Sequence, residues 1–471
     1  MFLCNLKHSI YILSACIFLV STTSSNVYAS ERKTSTEVTT HQEAPSDWPA
    51  APSVTAESAI VMDASSGMVL YEKNSTDKKY PASITKIMTT LLAIENSSLS
   101  DTVTFSRDAV FGVDLDSSRI GIDVGEQLSM QDCLYGVMLA SANEVSYAVA
   151  EHVAGNLEQF VQMMNDRAKE LGAVNTHFSN PHGLQDENHY TCAYDMALIS
   201  REAIKNTTFQ KITGARTYII APTNIQSQAR PLANHHKFLK GAIRYEGAIG
   251  GKTGYTATAK YTLVTYAKRG DMNLICVIMA SDSADTQYSD TAALLDYGFN
   301  NFSIYNVSSS ENDVLKDNPV LFTKYSKIFN SSHSFLATDD QGYVVLPNNV
   351  DLSKATKKII YQPNTDDSSE NRVIGQIVYT YKNKIVGQTN IIYQNNSSSE
   401  LPAKINELVN RPLKGSIIIN SNPSNMFGFI FVSIFLIFVV LIFIWYYLNR
   451  KRRKKIARRR KMNSYRRSDY S

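Results

Sequence analysis

Serine, lysine and asparagine side chains recur along the chain at spacings that suit acyl transfer. They form three short motifs: Ser83-Ile-Thr-Lys86, Ser141-Ala-Asn143 and Lys252-Thr-Gly254. A serine hydroxyl attacks a carbonyl only when a base removes its proton, and a lysine is such a base only while it is uncharged. Burial of Lys86 would lower the pKa of its ammonium, and a second cation such as Lys252 would lower it further.

The surrounding sequence distinguishes Ser83 from other serines that precede a lysine by three residues. The pair at 30–33 lies in a polar stretch, and the pair at 75–78 lies in a charged turn. Only Ser83 stands at the start of an amphipathic pattern, which predicts a helix that begins near Pro81. Residues three apart on a helix share a face, so Lys86 is expected to reach the Ser83 hydroxyl.

The elements that must position these motifs follow the order strands, helices, strands. Residues 59–62 and 68–71 predict two strands joined by a turn, and helical periodicity dominates from Pro81 to Gly172. Strands return at 248–255, 261–266 and 274–279. This order predicts a mixed α/β domain over residues 55–304, with an antiparallel sheet and flanking helices.

The texture of the sequence changes after residue 305. Short β-rich runs follow at 342–346 and 374–381, and the second run is expected to pair with 385–393 through a turn at Asn383. These patterns predict a small all-β domain at 305–394. Residues 395–425 are polar and contain three prolines, which is typical of a linker.

Apolar segments near both ends of the chain predict export and membrane anchoring. A lysine, an apolar run and small residues at a cleavage spacing predict a signal peptide at 1–29, with an uncleaved N-terminal anchor as the alternative. A polar, flexible leader is expected at 30–54. Residues 426–448 are apolar and uncharged, which predicts a transmembrane helix.

A block of lysine and arginine residues follows this predicted span, in the tail 449–471. Such a block is hard to translocate, so the tail is expected in the cytoplasm and the catalytic domain outside it. Contact with anionic lipid is favoured over nucleic acid because the block adjoins the span. The tail also accounts for the net charge of +4, since the rest of the chain is mildly acidic.

Cysteine and histidine are too sparse for a disulfide framework or a metal site. Cys133, Cys192 and Cys276 remain after the predicted signal peptide, and one disulfide between two of them is left as an alternative. The pair His235-His236 has no further ligand at a suitable spacing. No metal and no cofactor are therefore expected.

Several segments together resemble the low-molecular-mass penicillin-binding proteins that act as serine-type D-alanyl-D-alanine carboxypeptidases, peptidase family S11. The resemblance covers roughly 55–300, and more loosely the β-rich part. It is carried by Asp63-Ala-Ser-Ser-Gly67, Tyr80-Pro-Ala-Ser-Ile-Thr-Lys86, Met138-Leu-Ala-Ser-Ala-Asn143, Asn180-Pro-His-Gly-Leu184, Ala193-Tyr-Asp-Met-Ala197 and Gly250-Gly-Lys-Thr-Gly-Tyr-Thr256.

This resemblance implies a β-lactamase/transpeptidase-like catalytic fold and a set of catalytic roles. Ser83 would attack the carbonyl of the penultimate D-alanine and form an acyl-enzyme. Lys86 would act as the general base, and Ser141 would relay a proton to the leaving amine. The substrate would be a peptidoglycan stem peptide that ends in D-Ala-D-Ala, and β-lactam antibiotics would acylate the same serine.

The resemblance also implies a set of substrate-binding residues. Asn143 would bind the substrate's peptide carbonyl, while Lys252 and Thr253 would hold its terminal carboxylate. Backbone N–H groups of Ser83 and Tyr255 would form the oxyanion hole. Gly254 would let the substrate backbone approach the strand.

Three other functions remain as alternatives to the carboxypeptidase. A β-lactamase lacks support, because no glutamate stands in the expected setting in 173–195. A D,D-endopeptidase would use the same residues, and a non-catalytic wall-binding scaffold is the alternative from another class.

Lys260 departs from the family pattern, because it stands where the family usually has glycine. His182 is expected to hold a turn, and Asp195 to cap or brace a helix.

Overall fold

The computed structural model describes residues 47–308, 336–339, 342–361 and 371–394. The predicted signal peptide, linker, transmembrane helix and basic tail therefore lie outside the described residues. Within the described ranges, no helix has the length and hydropathy needed to span a bilayer.

The strands of the described residues form two larger sheets and two small ones. The fifteen strands of the described residues are β1 (Ser58–Asp63), β2 (Val69–Lys73), β3 (Thr102–Thr104), β4 (Gln127–Ser129), β5 (Thr217–Ile220), β6 (Arg230–Ala233), β7 (Ala248–Thr256), β8 (Lys260–Arg269), β9 (Met272–Ser281), β10 (Phe302–Asn306), β11 (Leu336–Thr338), β12 (Tyr343–Pro347), β13 (Thr356–Tyr361), β14 (Asn371–Tyr381) and β15 (Lys384–Gln394). The first sheet contains five antiparallel strands in the order β2-β1-β9-β8-β7. β3 pairs with β4 and β5 with β6 in two small separate sheets.

The helices lie mostly between β2 and β7 in the sequence. They are α1 (Lys86–Asn96), α2 (Arg107–Phe111), α3 (Met130–Leu139), α4 (Asn143–Ala154), α5 (Leu157–Glu170), α6 (Ala193–Ala203), α7 (Thr207–Gly214), α8 (Lys237–Lys240) and α9 (Thr286–Asn301). The predicted order of strands, helices and strands is confirmed, and so is the antiparallel sheet with flanking helices.

The first sheet is buried on both faces, which explains the continuous apolar runs of its central strands. Alternate residues of β1 belong to different cores: Ile60 and Met62 pack with the helices α1 and α3–α7, while Ala59 and Val61 face the second core. β9 alternates in the same way. The central strands therefore carry no polar face toward solvent.

The second sheet has the order β10-β12-β15-β14-β13, with β11 paired to β15. Its apolar side chains share the second core with α9 and with one face of the first sheet. The predicted turn at Asn383 is present, and both Lys382 and Asn383 have positive φ, as a tight hairpin turn requires. β10 lies across the predicted domain boundary at 304/305.

The end of the predicted leader contacts the second core. Trp48 packs edge-on against Phe302, with ring centroids 5.3 Å apart. Val54 is buried, and its carbonyl oxygen accepts a hydrogen bond from the Lys73 ammonium at 2.9 Å. Residues 47–54 thus have fixed contacts with the core.

Local contacts around α6 resolve two further predictions. Cys133, Cys192 and Cys276 are all free thiols in buried positions. The Cys192 sulfur accepts a hydrogen bond from the Asp195 N–H and caps α6. Asp195 is not the cap; its carboxylate braces the preceding loop by accepting bonds from the Asn175 N–H and the Thr176 hydroxyl, both at 2.7 Å.

Candidate active site

Ser83 lies in a short 3-10 turn, Ala82–Thr85, which leads directly into α1. Ala82 has a φ of +50°, a conformation that costs energy for a residue with a side chain. The turn is held from the first sheet, because the Thr262 hydroxyl on β8 donates to the Pro81 carbonyl at 2.8 Å. Ser83 itself is half-buried, so its hydroxyl remains open to a substrate.

Lys86 is fully buried, and its amine has three oxygen neighbours. The Nζ atom lies 3.1 Å from the Ser83 hydroxyl oxygen, 2.6 Å from Asn143 Oδ1 and 2.6 Å from the His182 carbonyl oxygen. A neutral amine has two N–H groups and one lone pair. The amide and carbonyl oxygens accept only, so they take both N–H groups and leave the lone pair for the Ser83 hydroxyl.

Two effects lower the pKa of Lys86 well below the usual value for lysine. Burial is the larger, because the charged form loses its hydration, and the nearby Lys252 charge adds to it. The Glu144 carboxylate opposes both effects and raises the Lys86 pKa. The lysine is therefore driven toward the uncharged form that a base requires.

The second motif lies where α3 ends and α4 begins. Ser141 is buried and has a φ of +60°, and Asn143 is the first residue of α4. The Asn143 N–H donates to the Ser118 carbonyl at 2.9 Å, which ties α4 to the loop between α2 and β4. The Ser141 hydroxyl makes no hydrogen bond with any residue that the structure describes, so it is available to a substrate.

The third motif lies on the edge strand β7. Lys252 is buried, and its ammonium donates to the Thr253 carbonyl at 2.9 Å. Burial lowers the pKa of Lys252 to about 7. Thr253 is half-buried and Tyr255 is exposed, so these two residues border solvent at the site.

Gly254 permits β7 to lie directly against the turn that carries Ser83. A Cβ atom at this position would stand 2.8 Å from the Ser83 backbone nitrogen and would also collide with the Thr262 hydroxyl. The structure thus brings Ser83, Lys86, Asn143 and the third motif together. Among the described residues, no hydrogen bond joins the Ser141 side chain to the other motif residues.

The segment 180–184 supplies a contact that the sequence did not reveal. Its part in the site is the His182 carbonyl, not the imidazole. Gly183 has a φ of +88°, and a Cβ there would collide with the Ala82 carbonyl oxygen. The His182 ring accepts a hydrogen bond from the Leu184 N–H at 3.2 Å, which agrees with the predicted role in a turn.

Glu144 is a second residue that the sequence analysis missed. It is buried directly after Asn143, and one carboxylate oxygen accepts hydrogen bonds from the N–H groups of Ile120 and Gly121. Its pKa is raised by burial. The only signal in the sequence is its place beside Asn143 at the start of an amphipathic helix.

Comparison with known proteins gives a consistent result for this part of the chain. Residues 45–283 match the family model described as D-alanyl-D-alanine carboxypeptidase. The chain is 37% identical over 267 residues to the D-alanyl-D-alanine carboxypeptidase DacF of Bacillus subtilis, which covers 55% of the chain. It spans 66% of that relative's length, just under two thirds.

Two further comparisons reach into the second sheet. The D-alanyl-D-alanine carboxypeptidase DacC of Escherichia coli is 30% identical over 368 residues, covering 74% of the chain and 85% of that relative. The crystal structure of penicillin binding protein 5 from Haemophilus influenzae aligns with a TM-score of 0.56 at 26% identity, over 74% of the chain and 98% of that structure.

Proposed function

Because the chain belongs to the D-alanyl-D-alanine carboxypeptidase family, we propose that it removes the terminal D-alanine from peptidoglycan stem peptides through an acyl-enzyme on Ser83. The prediction of this family from the motifs is confirmed. The proposal extends from the family to this chain's own residues, whose roles follow from their geometry.

The arrangement of the Lys86 amine is the observation that carries the proposal. Two acceptors take both N–H groups of the neutral amine, and the third neighbour is the Ser83 hydroxyl at 3.1 Å. A base must lie within hydrogen-bonding reach of the proton it removes and must be uncharged at the working pH. Lys86 meets the first requirement at 3.1 Å from the Ser83 hydroxyl oxygen, and burial and Lys252 lower its pKa in the direction that the second requires.

Acylation would proceed by proton transfer together with attack on the peptide carbonyl. As Ser83 Oγ bonds to the carbonyl carbon, its proton passes to the lone pair of Lys86. Collapse of the tetrahedral intermediate breaks the C–N bond, and the leaving amine of D-alanine takes a proton. Ser141 is suited to relay that proton, because its hydroxyl has no other hydrogen-bond partner among the described residues. Water then hydrolyses the ester.

The oxyanion hole would use the backbone N–H groups of Ser83 and Tyr255. The close contact at Gly254 places β7 beside the Ser83 nitrogen, which supports this assignment. Such donors act on charge that develops only in the transition state.

Recognition of the free terminal carboxylate would depend on Thr253 and Lys252. The Thr253 side chain borders solvent and can donate its hydroxyl hydrogen to a carboxylate oxygen. Lys252 is buried next to Thr253 in the strand, with its ammonium on the Thr253 carbonyl, and would add a positive charge. A peptide without the carboxylate leaves the Thr253 hydroxyl without this acceptor and the Lys252 charge without an anionic partner, which favours an exopeptidase. Asn143 Oδ1 binds Lys86, so its N–H groups remain for the substrate carbonyl.

The chain ends suggest where this activity operates. We propose export through the signal peptide at 1–29, anchoring by the helix at 426–448 and a cytoplasmic tail at 449–471, all on the sequence patterns described above. The β-rich domain at 305–394 would then separate the catalytic domain from the bilayer.

The decisive experiment is mass spectrometry of a pentapeptide muropeptide incubated with the purified protein. Loss of one alanine residue is expected, together with covalent labelling by a fluorescent penicillin. Both should be absent in Ser83→Ala, whose backbone N–H groups are unchanged.

Each alternative function gives a different result in the same assays. Hydrolysis of cross-linked dimers without loss of alanine from the pentapeptide would identify a D,D-endopeptidase. Rapid turnover of penicillin would identify a β-lactamase. Binding to peptidoglycan with neither labelling nor hydrolysis would identify a scaffold.

A further inference from the structure

The turn between β7 and β8 contains the residue that departs from the family pattern. Lys260 has a φ of +56°, where glycine would carry no strain. It pairs with Thr256 across the hairpin, one position beyond the pair Tyr255 and Tyr261. The lysine therefore lies at the tip of the hairpin that carries the proposed oxyanion donor of Tyr255.

The Lys260 side chain binds two carboxylates outside its own hairpin. Its Nζ atom lies 2.9 Å from Glu57 Oε1 and 2.7 Å from Asp282 Oδ1. Glu57 directly precedes β1, and Asp282 directly follows β9. These ion pairs join the edge of the first sheet to its central strands. The ammonium is thereby occupied by protein groups and is no free cation at the rim of the site.

Glu57 is held by hydrogen bonds of its own backbone and by a second ion pair. Its N–H donates to the Ala280 carbonyl at 3.5 Å, and its own carbonyl accepts from the Asn74 side chain at 2.9 Å. The second carboxylate oxygen binds the Lys79 ammonium at 2.8 Å.

Lys79 belongs to the segment that leads to Ser83. Its backbone exchanges two hydrogen bonds with Thr191, of 2.7 and 2.9 Å. The Ser83 side of the oxyanion hole is therefore held by the backbone. On the Tyr255 side, backbone pairing extends through Tyr261 to Ser281 of β9, and beyond that pair the hairpin tip is joined to Glu57 and Asp282 by the Lys260 side chain.

We propose that Lys260 is a positioning residue, which clamps the β7–β8 hairpin through Glu57 and Asp282 and so sets the place of the Tyr255 N–H in the oxyanion hole. This rests on the proposed function, in which that N–H stabilises the transition state. A looser hairpin leaves substrate binding largely intact and weakens an interaction that forms only during reaction, so kcat falls while KM stays nearly constant.

The size of the effect is bounded by the exposure of the ion pairs. The side chains of Lys260 and Glu57 are 42% and 45% exposed, so solvent screens them. Loss of two such pairs, acting through donor geometry, predicts a fall in kcat of about three- to tenfold. Screening also predicts that added salt lowers the wild-type kcat toward the value of the variant.

The test compares substitutions at Lys260 in steady-state hydrolysis of a D-Ala-D-Ala peptide. Lys260→Met removes the charge and keeps most of the side-chain length, so the full loss of kcat is expected. Lys260→Arg should restore most of it. Lys260→Gly relieves the backbone strain but should be as impaired as Lys260→Met, because the clamp is lost. Glu57→Gln combined with Asp282→Asn should reproduce the loss while Lys260 remains.

Lys205→Met is the matched control, because Lys205 is exposed and pairs with Glu202 at 2.7 Å, away from the hairpin. Its kcat should equal that of the wild type. Wild-type kcat in Lys260→Met or in Lys260→Gly would overturn the clamp, and so would a loss expressed in KM alone. An inactive wild-type protein would instead overturn the proposed function, so the two failures are distinguishable.

Discussion

The two lysines at the catalytic centre and the lysine at the tip of the β7–β8 hairpin lie in opposite electrostatic surroundings. Lys86 and Lys252 are buried at the catalytic centre, and burial lowers the pKa of both. Lys260 stands at the hairpin tip, where Asp282 and Glu57 raise its pKa. The buried lysines lose hydration without gaining a carboxylate hydrogen-bond partner, whereas Lys260 keeps water and gains two.

The difference shows how the environment selects the chemistry of an amine. A lysine that has lost its charge has a lone pair and can accept a proton, whereas one that keeps its charge has only donor groups and pairs favourably with carboxylates. The buried pair is costly for the folded state, because desolvation opposes the charge of both groups. The exposed ion pairs cost little and contribute little.

The largest expected effect is at Lys86. Lys86→Met should lower the rate of acylation by penicillin by about 10³-fold or more, because the base is removed while Ser83 stays in place. The measurement is the rate of covalent labelling, with circular dichroism to confirm folding. Labelling of a folded variant at the wild-type rate would contradict the assignment of Lys86 as the base.

The next largest effect is expected at Gly254, where β7 lies against the turn that carries Ser83 and so brings Lys252 near Lys86. In Gly254→Ala the new Cβ would stand 2.8 Å from the Ser83 nitrogen, so β7 must shift away from the turn. We expect kcat/KM to fall by roughly 10- to 100-fold, since small misplacements of reacting groups have effects of this size. Gly270→Ala is the control for activity, because its Cβ would meet no atom within 4 Å at the far end of β8; its φ of +57° strains a side chain, so that variant is expected to lose stability while keeping kcat/KM. Equal activity of the two variants would argue against close packing at Gly254.

The pH dependence of kcat/KM tests the charge of Lys252, the second of the two buried lysines. Lys252 has a pKa of about 7, so its charge is lost as the pH rises through that value. If that charge helps to bind the carboxylate, kcat/KM should fall about tenfold between pH 7 and pH 8 to 8.5. In Lys252→Arg the alkaline limb should disappear, because arginine stays protonated. An unchanged alkaline limb in this variant would assign it to another group.

The smallest expected effect is on stability. The pKa of Lys252 is about 7 in the folded protein and near 10.5 when unfolded, so the unfolded chain binds more protons between those values. The free energy of unfolding should therefore rise with pH across this window, and the penalty is greatest below pH 7. Lys252→Met should raise stability at pH 7 by about 1–3 kcal/mol and flatten that rise, measured by thermal unfolding. Lower stability would mean that the bond to the Thr253 carbonyl outweighs desolvation.

Much of the first domain could be predicted because local patterns and motif order agree. The strands at 248–255 and 261–266 are marked by neighbouring residues, and the structure contains both of them. The pairing of Ser83 with Lys86 follows from helical spacing alone.

The remaining features depend on contacts between distant segments. The His182 carbonyl at Lys86 is a backbone group, so no residue type marks it in the sequence. The binding of Lys260 to Glu57 joins residues 203 positions apart. Ser141 and Ala82 have positive φ, although neither is a glycine or asparagine that would mark such a conformation in the sequence. Spacing within one segment carries no information about any of these.

The burial of all three thiols in the described part of the chain has a practical consequence. Burial raises the pKa of the Cys133, Cys192 and Cys276 thiols, so they stay protonated and unreactive. A cysteine introduced at Thr258, on the exposed hairpin tip, would be the one reactive thiol among these residues. A fluorophore attached there would report hairpin motion during turnover, without prior removal of native cysteines from this region.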